Sequence, residues 1–476
     1  MRGATKTILM TAAALSTLAL AGLAQAQSAS KDASEPAFRG LYKELVETNT
    51  TASVGSCTAA AQAMGARLKA AGFPDSDVKV VFPDEHPKAG ALLATLHGKD
   101  PSAGAILLMA HIDVVEAKRE DWVRDPFTLI EEGGYFYARG ASDDKAMAAI
   151  FTDSLVRYKK EGFAPKRDIK LALTCGEEGG QFNSVPWLLE KHPEAMKADF
   201  ALNEGDDSRL DETGKPKLLS IQVGEKVYMD YNLEVTNPGG HSSRPVKDNA
   251  IYHLAGGLSR LGAYDFPIAL NDATKAYYEQ SARIEPDAEV ANAMRAIVKD
   301  PSDAAAAAIL ARDPARNSMM RTTCVATMAE AGHAPNALPQ RAKANVNCRI
   351  LPGNDPKVIR DQLEQVVADP AIKITLAADP DPVSPPPPLT PRIMGPATKV
   401  AGKIWPGVPF IPAMLTGATD GRFTNAAGVP TYGLSGLMAG PDGDNIHGLN
   451  ERIQVKALMN GRQFLYEVVK LYADGK

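Results

Sequence analysis

Apolar residues fall into two kinds of run along this chain, and the change from one kind to the other marks its organisation. In the first half the runs are short and unbroken: Val78–Phe82, Ala91–His97, Ala105–Ala110, Ile169–Thr174 and Phe200–Leu202. Without polar alternation they predict strands covered on both faces, as in an α/β sheet. Helical spacing fills the gaps. Phe38–Glu47 reads as one helix and Lys145–Lys159 as another. A third is capped by Ser56, carries Ala60, Met64 and Leu68, and stops at Gly72 before Pro74. Strands alternating with helices predict a wound α/β domain.

At about Leu218 the period becomes two. Lys226–Thr236 alternates as a half-exposed strand, and Asn237–Gly240 turns into His241. Asn249–Leu261 is amphipathic, and Ala273–Asn317 is Ala-rich and helical with a break at Asp300-Pro301. Two more alternating strands follow, Met320–Ala329 and Lys343–Ile350. Two strands, a helix and two strands predict a small α+β domain inserted into the first, with Leu351–Gly353 as its exit. The expected division is 27–222 and 353–476 for the α/β domain and 223–352 for the insertion. In the last part Lys357–Ala368 reads as a helix, Ala371–Ala377 as a strand and Val455–Leu471 as the final helix. The proline run within Asp379–Pro391 reads as a stiff surface loop.

Composition changes this picture little. A chain of 476 residues suffices for two sizeable cores, and 45% hydrophobic with 23% charged residues is ordinary for a soluble globular protein. A net charge of -5 offers no basic field for nucleic acid and favours an enzyme of small molecules. Residues 1–26 do change it. Arg2 and Lys6 precede an apolar stretch from Ile8 to Leu23, and Ala24-Gln25-Ala26 is a small-x-small cleavage site. This reads as a secretory signal peptide, so the mature protein is expected to be periplasmic or secreted and free of the membrane after cleavage. Of the four cysteines, Cys175 reads as a buried small hydrophobe, and Cys324 and Cys348 lie in two strand-like runs compatible with a bridge. The absence of any Cys-x-x-Cys argues against a cysteine-based structural zinc site.

The candidate chemistry follows the predicted strands: His111 and Asp113, Asp143, Glu177 and Glu178, Glu204, then distant His447. Loops at the carboxyl ends of strands in an open α/β sheet converge on one crevice. Two imidazoles and several carboxylates without thiolates suit zinc, with cobalt or manganese as substitutes. Singly, each group has an ordinary alternative: a surface pair for His111 and Asp113, a solvated turn for Glu177 and Glu178, a helix cap for Asp143 and Asp144. Their joint order after buried strands favours the site.

The motifs are His111-Ile112-Asp113, Arg139-Gly140-Ala141-Ser142-Asp143-Asp144-Lys145, Gly176-Glu177-Glu178-Gly179, Asn203-Glu204-Gly205, Gly239-Gly240-His241, Asn336-Ala337-Leu338-Pro339 and His447-Gly448-Leu449-Asn450-Glu451. On these the chain resembles the di-zinc exopeptidases that include glutamate carboxypeptidase, aminoacylase, succinyl-diaminopimelate desuccinylase and the yeast vacuolar carboxypeptidase. Ala146 stands where many members have glycine. The resemblance implies a catalytic domain with a mixed sheet flanked by helices, and an inserted lid that in some members also makes a homodimer.

The resemblance also implies roles. Asp143 would bridge two zinc ions, with His111 and Glu204 at one and Glu178 and His447 at the other. Glu177 would be the general base and Asp113 the partner that orients His111. His241 would stabilise the oxyanion, and Asn336 and Arg349 would hold a substrate carboxylate. A cis peptide between Asp143 and Asp144 is implied as well. The expected activity is hydrolysis of an amide bond in a small peptide bearing a free carboxylate, by a carboxypeptidase or dipeptidase. The alternative is an N-acyl-amino-acid amidohydrolase with the same chemistry.

Overall fold

The computed structural model describes residues 33–475 except Gln181 and Asp381. The expected signal peptide, 1–26, lies outside them. Among the described residues no helix is long and apolar enough to cross a membrane.

The unbroken apolar runs become the centre of a mixed sheet. Its strands are β1 (Val78–Val81), β2 (Ala91–Leu96), β3 (Ala105–His111), β4 (Asp168–Thr174), β5 (Phe200–Asn203) and β6 (Pro216–Glu225), joined by two late strands, Phe410–Leu415 and Thr431–Gly433. The spatial order is β1-β2-β4-β3-β5, then Thr431–Gly433, β6 and Phe410–Leu415, with Arg209–Leu210 pairing on β6. β3 runs parallel to both β4 and β5, so their carboxyl ends share one edge of the sheet. Every residue of β3 is buried. Ile106, Leu108 and Ala110 face a core that includes Phe38 and Tyr42 of helix α1 (Glu35–Glu47), Met64 of α2 (Cys57–Ala70), Met147 of α3 (Lys145–Lys160) and Leu465 of the last helix. Leu107 and Met109 face the other side, against Val185, Leu188 and Phe423. Covering both faces is what the lack of alternation required.

The period-two stretch forms a second sheet. β7 (Val227–Thr236) buries Val227, Met229, Tyr231, Leu233 and Val235 in register and exposes residues between them. The order is β8 (Thr323–Ala331), β9 (Arg341–Ile350), β7, β10 (Lys373–Leu376), all antiparallel. Residues expected in the second part of the catalytic domain belong here. The helix Pro356–Val367 and β10 both pack on this sheet, so it extends past the exit expected at Leu351–Gly353. The return pairing of β10 with β7 joins residues far apart in sequence, which local periodicity does not reveal.

The Ala-rich segment makes a helical cluster around Tyr278, Met294, Ile297, Leu310 and Met320. Its helix Asp272–Ser281 lies on Phe410–Leu415, the last strand of the main sheet, and so covers an edge that would otherwise invite pairing. The proline run is less superficial than expected: Ser384 is buried and its carbonyl accepts from Gly353 N–H.

All four cysteines are paired. Cys324 and Cys348 face each other across β8 and β9 and form a disulfide. Cys175 is buried but is not a free thiol, because it is bridged to Cys57. Those two residues are 118 apart in sequence and meet only once α2 packs beside the end of β4.

Candidate metal centre

The parallel strands β4, β3 and β5 end side by side, and each delivers part of the cluster. β3 ends in His111, β4 is followed by Glu177 and Glu178, and β5 by Glu204. Asp143 and Asp144 stand at the start of α3, joined by a cis peptide. His447 comes from a late loop, with a φ of 61°.

Asp143 is the centre of the arrangement. One carboxylate oxygen lies 3.0 Å from His111 Nε2 and the other 3.1 Å from His447 Nε2. Glu204 approaches His111 Nε2 at 3.6 Å, and Glu178 approaches His447 Nε2 at 2.9 Å. Thus the five residues expected as metal ligands form two groups that share Asp143. Ligand atoms of His111, Asp143 and Glu178 lie within 4.8 Å of one another, as do those of His111, Asp144 and Glu204. Asp144 was not among the expected ligands. It sits at the N-cap of α3 but caps nothing, and one of its buried carboxylate oxygens has no hydrogen-bond partner.

Asp113 holds two pieces together. Its Oδ2 accepts from the Glu178 N–H at 3.0 Å, tying the β4 loop to the β3 loop. His111 Nδ1 lies 3.1 Å from the Asp113 main-chain carbonyl and 3.6 Å from its carboxylate. The main chain, rather than the side chain, is therefore the direct orienting partner of Nδ1, and it turns Nε2 toward Asp143. Gly176 enters the β4 loop with a φ of 95°, and a Cβ there would lie 2.0 Å from the Phe182 carbonyl oxygen, so only glycine fits.

The charges are poorly matched without a cation. Burial pushes Glu177 up to about 9, helped by Glu204, Asp420 and Glu178. Burial likewise raises Asp144 and Glu204. Hydrogen bonds to Asp143 and Glu178 push His447 up to about 10. Burial opposes a charged His111, yet Glu204, Asp113 and Asp143 raise it well above its ordinary value. Crowded carboxylates that hold protons against their nature, around imidazoles with Nε2 turned inward, are the donor set that fits two divalent cations.

A buried pair supports the loops. Glu451 accepts from Arg139 Nη1 at 2.7 Å and from the N–H groups of Gly140, Ser142 and Asp143. Arg139 also donates to the carbonyls of His447 and Gly448. These two residues stood in the motifs without a role. Their ion pair fixes both Asp143 and the His447 loop.

The remaining candidates lie in the inserted region, Arg349 on the second sheet and His241 and Asn336 at a separate two-stranded ribbon. Ser243 donates to His241 Nδ1 through its N–H at 3.1 Å, leaving the imidazole proton on Nε2. Gly240–His241 pairs with Ala337–Leu338, which sets Asn336 beside His241. The Arg349 guanidinium lies 4.7 Å over the Tyr228 ring. Among the described residues none of these three makes a hydrogen bond or ion pair with the cluster. A cavity of about 940 Å³ opens beside Glu178 and Asp113, lined also by Thr50, Val114, Phe182 and the Cys57–Cys175 bridge. A second, of about 400 Å³, lies on the Asp143 and Glu204 side.

Residues 107–471 match the family described as peptidase family M20/M25/M40. The chain is 31% identical over 391 residues to the N-fatty-acyl-amino acid synthase/hydrolase PM20D1 of Homo sapiens, covering 79% of this chain and 76% of that protein. It is 27% identical to the probable carboxypeptidase S-like 2 of Dictyostelium discoideum, over 83% and 78% of the two chains. Its fold matches the M20 family metallo-carboxypeptidase Sso-CP2 of Sulfolobus solfataricus with a TM-score of 0.67 and 20% identity, over 92% of this chain and 99% of that one.

Proposed function

We infer a finer activity for this chain, which belongs to peptidase family M20/M25/M40 and is a metal-dependent hydrolase: it cleaves the amide bond of small peptides that carry a free carboxylate, as a carboxypeptidase or dipeptidase. The observation that carries this reading is Asp143, whose two oxygens face two imidazoles brought from opposite ends of the chain, with Glu177 beside the pair. His111, Asp143 and Glu204 would hold one ion, and Asp143, Glu178 and His447 the other. Zinc suits this mixture best, with cobalt or manganese as substitutes.

When bound, a two-cation centre polarises the scissile carbonyl and lowers the pKa of the attacking water toward ~7. Nearby positive charge also brings Glu177 down from its raised value, so that the carboxylate is free to take the water's proton. Glu177 then passes that proton to the leaving amine. His241 Nε2–H is the donor in reserve for the developing oxyanion, reached by closure of the inserted region or from the partner of a homodimer. Arg349 offers a fork for the substrate carboxylate, with Asn336 beside it. Export to an oxidising compartment is part of the same reading, supported by the signal-like residues 1–26 and by two disulfides.

A second reading, N-acyl-amino-acid hydrolysis, is favoured by the large cavity adjoining Glu178 and by the name of the human relative. Purified protein loaded with zinc and assayed on dipeptides and on N-acyl amino acids of rising chain length separates the two. Glu177→Ala is expected to keep its metal and lose turnover. Activity on neither panel, or an active Glu177→Ala, would sink the assignment.

A further inference from the structure

We propose that Thr419 and Asp420 are positioning residues, which together hold the base-bearing loop and the Glu204 turn in register from a single point. The proposal rests on the roles given above to Glu177, Glu178 and Glu204.

The loop after β4 contains Gly176, Gly179 and Gly180, all at positive φ, so its own backbone does little to fix Glu177 and Glu178. Its two ends are tied by one carboxylate. Asp420 is buried, accepts from Thr174 Oγ1 at 3.2 Å on one oxygen, and accepts from Asn183 Nδ2 at 2.7 Å on the other. Asn183 Nδ2 also donates to the Gly176 carbonyl at 3.1 Å, so the bracket reaches the residue next to Glu177. Asp420 thus closes the neck of the loop from outside it.

Thr419 does the same for the neighbouring strand. Its hydroxyl accepts from Asn203 Nδ2 at 3.2 Å, and Asn203 directly precedes Glu204. The same hydroxyl donates to Glu225 Oε2 at 2.8 Å, and the Thr419 N–H donates to that oxygen at 2.8 Å. Glu225 is the buried last residue of β6, one step before Lys226 and the crossover into the second sheet. Two adjacent side chains therefore join the β4 loop, the β5 turn and the crossover. Among the described residues neither makes a hydrogen bond or ion pair with His111 or His447; Asp420 adds its charge to the field at Glu177, and both otherwise act through the residues they hold.

The test uses the full-length protein with zinc and with cobalt. Asp420→Asn leaves one acceptor where two donors converge, and Thr419→Val removes the shared hydroxyl while Thr419→Ser keeps it. Zinc affinity is read by chelator competition, ligand geometry by the cobalt absorption spectrum, and catalysis by kcat and KM separately. Expected are a loss of about 10–100-fold in zinc affinity or in kcat, an altered cobalt spectrum and little change in KM for Asp420→Asn and Thr419→Val, with Thr419→Ser recovering most of both. If Asp420→Asn does not fold, the Thr419 pair decides alone. Folded variants with wild-type zinc affinity, cobalt spectrum and kcat would overturn the proposal, as would a Thr419→Ser as impaired as Thr419→Val. Glu177→Ala serves as the control. If it stays active while Asp420→Asn loses zinc, the base assignment fails and the positioning role stands; if it is inactive while both positioning variants behave as wild type, the reverse holds.

Discussion

Glu451→Gln removes a charge where it is most heavily used. Oε1 accepts from Ser142 and Asp143 N–H at 2.8 and 3.1 Å, and Oε2 from Arg139 Nη1 and Gly140 N–H at 2.7 and 3.0 Å. An amide accepts on one oxygen only, so two of these bonds are lost and its NH₂ faces donors. The Arg139 and Glu451 side chains are 3% and 1% exposed, and the guanidinium would be left without its counter-charge. Removing one partner of such a buried pair costs about 3–5 kcal/mol. Because Asp143 and the His447 carbonyl both hang on this pair, zinc affinity and kcat should fall with stability. Equilibrium denaturation in guanidinium, with zinc content measured alongside, reads both effects. Arg139→Met/Glu451→Gln should cost less than the sum of the single changes, since the stranded charge is gone. A Glu451→Gln within about 0.5 kcal/mol of wild type, the range of ordinary surface changes, would refute this view of the loop support.

Three further outcomes are expected. Metal binding should displace the protons held by His447, up to about 10, by His111, and by Glu177, up to about 9, so apparent affinity rises with pH, and calorimetry in buffers of different ionisation enthalpy should show net proton release. In the metal-free protein the sign reverses: the raised His447 contributes stability that is complete below its unfolded value of about 6.5 and lost as pH rises through about 10, so thermal melts of the apo form should be higher at pH 6 than at pH 10. Cys57→Ala should lower stability by about 2–4 kcal/mol, and by more than Cys324→Ala, because its bridge closes 118 residues against 24; equal effects in denaturant titrations would contradict the loop-closure argument.

Much of this was readable in the sequence because it is local. The unbroken run of β3 announced a strand covered on both faces, and the motif residues that follow β3, β4 and β5 reach one edge because those strands are parallel and adjacent. What escaped depends on distant partners. Cys175 read as a small hydrophobe because Cys57 is close only in space. Asp144 read as a cap, but the helix start places its carboxylate inside the cluster. The second sheet overran its expected end because β10 returns to pair with β7. The bracket made by Thr419 and Asp420 is not legible in the sequence because its partners Thr174, Asn183, Asn203 and Glu225 come from distant parts of the chain.

The central claim is a two-cation centre divided about Asp143. Equilibrium dialysis against zinc followed by elemental analysis tests it most directly, on wild type, His447→Ala and Asp143→Ala. Expected are about two ions per wild-type chain, weakened binding at one site in His447→Ala, and loss of both in Asp143→Ala. A wild-type chain that binds one ion or none, or an Asp143→Ala that retains two, would contradict it.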